Sequence, residues 1–303
     1  MDYEQHLLYK IAYYYYFENL TQQHIADMLS ISRIKVIRGL ELARKTGIIQ
    51  FKLRETPDFN ADIEKALKEQ FHLKDVFVVP NPPSEDRTNA NVAQAAALYI
   101  NDRIKPGDYL NIGYGDTARQ VLNSLATMAE EPISCVSLTG GVEYYLPDNR
   151  SHAFYANLHL IPAPLLASST EMAEAIRKEE SIHQVFQMAP LSCLSVVGIG
   201  GMHETSTIFY SGTLNKNEMT YLRMRGAVGD ILSHFFDKDG TLIDSVVEER
   251  LISTPLHSLK TLPNVVGVAA GKNKVKAIRA TLIGEYLDVL ITDTNTAKLL
   301  LEE

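Results

Sequence analysis

Apolar residues recur at helical spacing through the first 45 residues and then change to short, nearly continuous runs that alternate with helical stretches. In YEQHLLYKIAYYYYFEN, Leu7, Leu8, Ile11 and Ala12 share one side of a helix. Four consecutive tyrosines, Tyr13 to Tyr16, sweep most of the way around that helix, so they cannot all face one small core. They belong either to an interface or to a half-exposed surface with hydrated hydroxyls. In LTQQHIADMLSISRIKVIRGL, Thr21 is placed to cap a short helix carrying Ile25, Ala26 and Leu29 inward, with Gln22 as its first residue. Ser32 is placed to cap a second helix with Val36, Ile37, Leu40 and Ala43 inward, and Ser30 stands in the turn where glycine is common.

Gly47 ends that second helix, and IIQFKLR alternates apolar Ile49, Phe51 and Leu53 with Gln50, Lys52 and Arg54, the pattern of a half-buried wing strand. A polar, Pro-containing stretch at residues 54–60 marks a boundary, so the pattern predicts a winged helix-turn-helix domain over 1–54 and a larger domain over 55–303. A helix is expected over about Asp62 to Phe71. Beyond it, VFVVP, YLNIG, CVSL, LHLIP, LSVVGIG, VVGVAA and LDVLITD alternate with helical segments. That alternation predicts an α/β, doubly wound parallel sheet with helices on both faces. SHFFDKDGTLID reads as a late β-hairpin with Asp239 and Gly240 at its centre.

Charge sharpens the reading of the first domain. Residues 1–54 hold eight Lys or Arg against five Asp or Glu, a net of +3, while the rest of a chain of net charge −8 carries −11. Between Ser30 and Arg54 seven of eight charged residues are positive, the local footprint that phosphate binding at DNA requires. The expected partner is double-stranded operator DNA, contacted through Thr21, Gln22, Ser32, Arg33, Lys35, Val36, Arg38 and Lys52. A helical hairpin with a solvated basic face is the plainer alternative.

Composition constrains the remainder. With 303 residues and 46% hydrophobic positions the chain can build a small module and one large core. No signal-peptide pattern and no apolar run near 18 residues is seen, so a cytoplasmic protein with no membrane partner is expected. Cys135 and Cys193 fall inside apolar runs without metal-ligand spacing and read as inert core residues, so neither a metal nor a cofactor is expected.

Ligands of open parallel sheets bind in loops that follow the strands. IGYGDT offers Gly113 and Gly115 for close backbone approach, with Asp116 and Thr117 capping a helix whose N-terminus suits phosphate; packing alone also explains such glycines. SLTGG adds Thr139, Gly140 and Gly141. VVGIGGMHETS departs from dinucleotide-binding spacing, and its glycines read as steric access. Asp230 in RMRGAVGDI is placed either to accept sugar hydroxyls or to cap a helix. Lys274 in GVAAGKNK stands at a helix start, where a cation is disfavoured unless an anion joins it; Lys272 is a less certain partner.

The order of helix-turn-helix, linker helix and the motifs IGYGDT, SLTGG, IPAPL, VVGIGG, GAVGDI and GKNK resembles the SorC family of bacterial sugar-responsive transcription regulators, over essentially the whole chain. The resemblance implies a ligand domain similar to sugar-phosphate isomerases and deaminases, a homotetramer, and a phosphorylated sugar as effector. Phosphorylated autoinducer 2 is the first candidate, with pentose or hexose phosphates next. By position, Gly115, Asp116, Thr117, Thr139, Gly140, Gly141 and Lys274 would surround the phosphate and Asp230 would meet sugar hydroxyls; some relatives carry Arg where Thr139 stands. A sugar-phosphate isomerase or deaminase with a DNA-binding arm is the competing reading, but the strand-end loops supply one histidine, His203, and no paired carboxylate motif, so no catalytic residue is assigned.

Overall fold

The computed structural model describes residues 3–49, 60–129, 131–142 and 157–302. The chain divides into two compact units, Met1–Phe59 and Asn60–Glu303.

The described residues of the first unit form three helices, α1 (Tyr3–Tyr16), α2 (Gln22–Met28) and α3 (Arg33–Lys45). Both expected caps form: the Thr21 hydroxyl accepts the His24 N–H at 3.2 Å and the Ser32 hydroxyl accepts the Lys35 N–H at 3.2 Å. Each such cap stabilises its helix by about 1 kcal/mol. Ser30 takes φ 51 in the turn, the left-handed value that makes glycine common there, and Gly47 takes φ 72 after α3. Ile11, Ile25, Ala26, Val36 and Leu40 form the core. Helices α1 and α3 approach closely at Gly39, where an added Cβ would lie 2.7 Å from Ile11 Cδ1. Tyr14, Tyr15 and Tyr16 fold partly onto this core, and the Tyr16 hydroxyl accepts the Arg44 Nε–H at 2.9 Å. Tyr13 instead faces outward, stacked on the exposed ring of Phe17 at 5.5 Å. The wing expected over 49–54, including Lys52, lies outside the described residues except for Ile49, which packs against the cluster of Leu8, Ala12 and Ala43.

The second unit opens with α4 (Ala61–Gln70), followed by β1 (Asp75–Val79), α5 (Thr88–Asn101), β2 (Tyr109–Ile112), α6 (Asp116–Met128), β3 (Ser134–Ser137), β4 (Leu158–His159) and β5 (Leu194–Gly201). After these come β6 (Gly229–Ile231), β7 (His234–Phe236), β8 (Val265–Val268) and β9 (Val289–Asp293). The seven runs read as strands all appear, in the order β1-β9-β8-β5-β2-β3-β4, and every pair among them is parallel. Period-two alternation divides their side chains between two cores. Leu194 and Val196 of β5 face the core of α5 and α6, whereas Val197 and Ile199 face the core of α4 and the helices Val275–Ile283 and Thr294–Glu302. Helices thus cover both faces.

Asn111, fully buried in β2, donates to Ala189 O and Ser195 Oγ, each at 2.9 Å, and its carbonyl accepts the Ser192 hydroxyl at 2.7 Å. That satisfied polar cluster ties β2 to β5, where the sheet changes direction: β2 leads outward to β3 and β4, while β5 leads the other way to β8 and β9. The late hairpin lies earlier than the Asp-Gly signal suggests. β6 and β7 pair antiparallel around Leu232 and Ser233, at φ 54 and 67, while Asp239 and Gly240 sit in a longer turn beyond β7, closed by the bridge between Phe236 and Leu242 and by the Asp237 N–H on Thr241 O at 3.0 Å. Two positive φ values make the two-residue turn that matches strand twist, here without glycine or asparagine. Cys135 is buried, and burial pushes its thiol up to about 12. Cys193 departs from the expectation: it stands one residue before β5 and is only partly buried.

Candidate ligand cavity and basic helix

The change of direction between β2 and β5 leaves a crevice beyond the carboxyl ends of both strands. A cavity of about 490 Å³ occupies it, within the size range of small-molecule sites. Five of the expected residues line it: Gly115, Asp116, Thr117, Asp230 and Lys274. Gly115, at φ 114, holds the N-cap position of α6, so Asp116 and Thr117 are its first helical residues rather than its caps. The Asp116 carboxylate turns back to accept from the Arg119 guanidinium at 3.2 Å and from the Gln120 amide, and its N–H donates to Thr207 Oγ at 3.3 Å.

Asp230 reaches the cavity because β6 pairs antiparallel with the end of β5, which sets it opposite Gly200. A Cβ on Gly200 would overlap the Asp230 carboxylate, so only glycine leaves that side chain where it is. Burial pushes Asp230 up to about 6, against the Ser233 N–H at 3.2 Å and the charges of Lys274 and His234. Lys274 ends a single 3-10 turn, Lys272–Lys274, just before the helix Val275–Ile283 rather than inside it. Burial pulls its ammonium below the usual lysine range, while Asp230 and Asp116 oppose that fall. Desolvation, Lys274 and Arg223 together hold His203 below the usual histidine range. Its Nδ1 meets Thr205 Oγ at 2.8 Å, whereas its Nε2 and the hydroxyl of Ser206 are buried without a partner among the described residues. An anion would be attracted to this cavity by Lys274 and would complete its unfilled hydrogen bonds.

The second glycine loop falls elsewhere. Thr139, Gly140 and Gly141 do not line the cavity: Thr139 is fully buried and bridges to Ser253, while the N–H groups of Gly140 and Gly141 donate to Ile252 O and Ala163 O, each at 2.9 Å. Their backbone is used for packing, with Gly141 against the ring of Tyr114, whose residue does line the cavity. Arg119, Ser206, Thr207 and Asn89 line it beyond the expected set, and His203 joins them although the sequence marks it only as a lone histidine. The hydroxyl-rich HETST directly after a triple-glycine strand end is the signal that points to this stretch.

In the first unit Arg33, Lys35 and Arg38 are exposed on α3, and no acidic side chain is paired with any of them among the described residues. Thr21 and Ser32 are exposed at their cap positions and Gln22 is half-buried. Val36 is a correction: it is fully buried in the three-helix core, so its side chain holds α3 in place and is not offered to a partner. Among the described residues no group of three or more His, Cys, Asp or Glu is arranged to hold a metal ion, and no helix is long and apolar enough to cross a membrane.

Residues 56–302 match the Sugar-bind family of sugar-binding domains. The transcriptional regulator LsrR of Klebsiella pneumoniae is 33% identical over 98% of this chain and 93% of its own length; that of Escherichia coli K12 is 34% identical over 98% and 95%. The crystal structure of the full-length sorbitol operon regulator SorC from Klebsiella pneumoniae superposes with a TM-score of 0.74 at 26% identity, covering 99% of this chain and all of that one.

Proposed function

This chain belongs to the SorC family of sugar-binding transcriptional regulators, and from that premise we propose that it is a DNA-binding repressor of a carbohydrate or autoinducer 2 uptake operon. A phosphorylated sugar releases it from the operator. The observation that carries the reading is the separation of two chemistries in one chain: an unpaired basic helix surface in one compact unit and a polar, cation-bearing cavity in the other.

Operator reading is assigned to the winged helix-turn-helix of residues 1–54, with Arg33, Lys35 and Arg38 on bases and phosphates and Lys52 of the wing on phosphate. Effector binding and tetramer assembly are assigned to 55–303. There the phosphate meets Lys274 and the first turn of α6, where helix N–H groups favour an anion, and Asp230 accepts sugar hydroxyls. Release is a population shift: the ligand stabilises the arrangement of subunits in which the reading helices no longer match paired half-sites. The protein acts in the cytoplasm.

One observation favours a second reading, a sugar-phosphate isomerase or deaminase. Asp230, pushed up to about 6, has the proton affinity of a general base near neutral pH. A regulator needs the same carboxylate only as a hydroxyl acceptor. The deciding experiment is binding of the purified protein to DNA upstream of its own gene and neighbouring operons, with and without phosphorylated autoinducer 2 and pentose and hexose phosphates. Release by one compound, with no turnover of it, supports the repressor; consumption of the compound supports the enzyme.

A further inference from the structure

The cavity does not end at Lys274. A second hollow of about 440 Å³ adjoins it, and the two share Asn89, His203, Thr205 and Lys274 as a common divide. Their charges differ. In the first, Asp116 is matched by Arg119, which leaves Lys274 as the cation facing Asp230. The second is lined by Glu85, Asp86 and Asp293, three carboxylates against Lys272 and the shared Lys274. Asp293 is buried and fixed, accepting the Asn81 amide and the Thr296 N–H, each at 2.8 Å. Carboxylates and amides of this kind accept hydroxyl groups well, whereas a phosphoryl group brings acceptors and negative charge to a wall that already has both.

We propose, resting on the sugar-phosphate reading above, that the ligand is a monophosphate spanning both hollows, with its phosphoryl group beside Lys274 and an uncharged, hydroxyl-bearing end against Asp293, and that this chain rejects a second phosphoryl group. Ser206 independently supports a ligand in the first hollow. Its residue is more than nine-tenths buried, it lines the first hollow, and its hydroxyl has no partner among the described residues. His203 Nε2, equally unpartnered, stands on the divide, where the middle of such a ligand passes.

Calorimetric titration of the full chain with fructose 6-phosphate against fructose 1,6-bisphosphate, and ribose 5-phosphate against ribulose 1,5-bisphosphate, tests the inference. At least one monophosphate should bind at least about tenfold more tightly than its bisphosphate partner, and the double variant Glu85→Gln, Asp86→Asn should narrow that gap to about threefold or less. Both residues are exposed, so the variant keeps its fold. A bisphosphate that binds as tightly as its partner, or a gap unmoved in the variant, overturns the inference and leaves the sugar-phosphate reading standing. If none of the four compounds binds, the inference is overturned, and the sugar-phosphate reading falls with it only when phosphorylated autoinducer 2 and inorganic phosphate also fail to bind.

Discussion

Replacing Asp230 by Asn separates the cost of this site from its use. Below the ordinary aspartate value of 3.8 the side chain is protonated in the folded and unfolded chain alike and behaves as a neutral group. As pH rises the unfolded chain releases the proton first, and the folded chain holds it until about 6, so stability falls through that window and stays low above it. The gap between 3.8 and about 6 corresponds to about 3 kcal/mol. Asparagine never acquires the charge, and its side-chain oxygen can still accept the Ser233 N–H. Lys274 loses a neighbouring carboxylate in exchange, which takes back part of the gain. The variant should therefore match the parent near pH 4 and exceed it by about 1 to 3 kcal/mol at pH 7. Urea melts of both proteins at intervals from pH 4 to 8 measure this. A gap that is constant across the range, or a parent that is the more stable at pH 7, refutes the assignment of the cost to a buried charge. Weaker effector binding by the same variant would show why the charge is retained.

Three further outcomes are expected. Arg33→Ala and Lys35→Ala should each weaken operator binding and reduce its logarithmic salt slope by about 1 for every phosphate no longer neutralised, with effector affinity unchanged by calorimetry; a fall in both activities together would misplace the reading helix. Lys274→Met should weaken effector binding by about 2 kcal/mol or more while the melting midpoint holds, and an unchanged affinity would remove Lys274 from the site. Gly200→Ala should displace the Asp230 carboxylate, the movable partner in the overlap, and so abolish operator release without abolishing operator binding.

Local rules carried much of the fold into the sequence. Thr21 and Ser32 cap helices because their hydroxyls need only reach an N–H three residues on, and the seven parallel strands are legible because burial on both faces makes each a short apolar run. What depends on tertiary context was not legible. Leu232 and Ser233 make the tight turn of β6 and β7 although neither favours the positive φ it takes, while the Asp-Gly pair that advertises such a turn sits a few residues later. The site divides in the same way. Gly115, Asp116 and Lys274 could be found because each follows a strand, but Thr139, Gly140 and Gly141 follow one equally well and serve packing. Arg119, Ser206 and Thr207 come to share a cavity with Asp116 and Lys274 only when β2 and β5 lie side by side.

That adjacency has a mechanical side. The cavity draws one wall from the start of α6, which packs in one core, and another from Lys274, which begins the helix of the opposite core. A molecule bound to both would be a clasp between two layers that lie on opposite faces of the sheet. Occupancy of that one small hollow would hold the two helical layers against each other, a restraint on their relative motion that no single layer could supply.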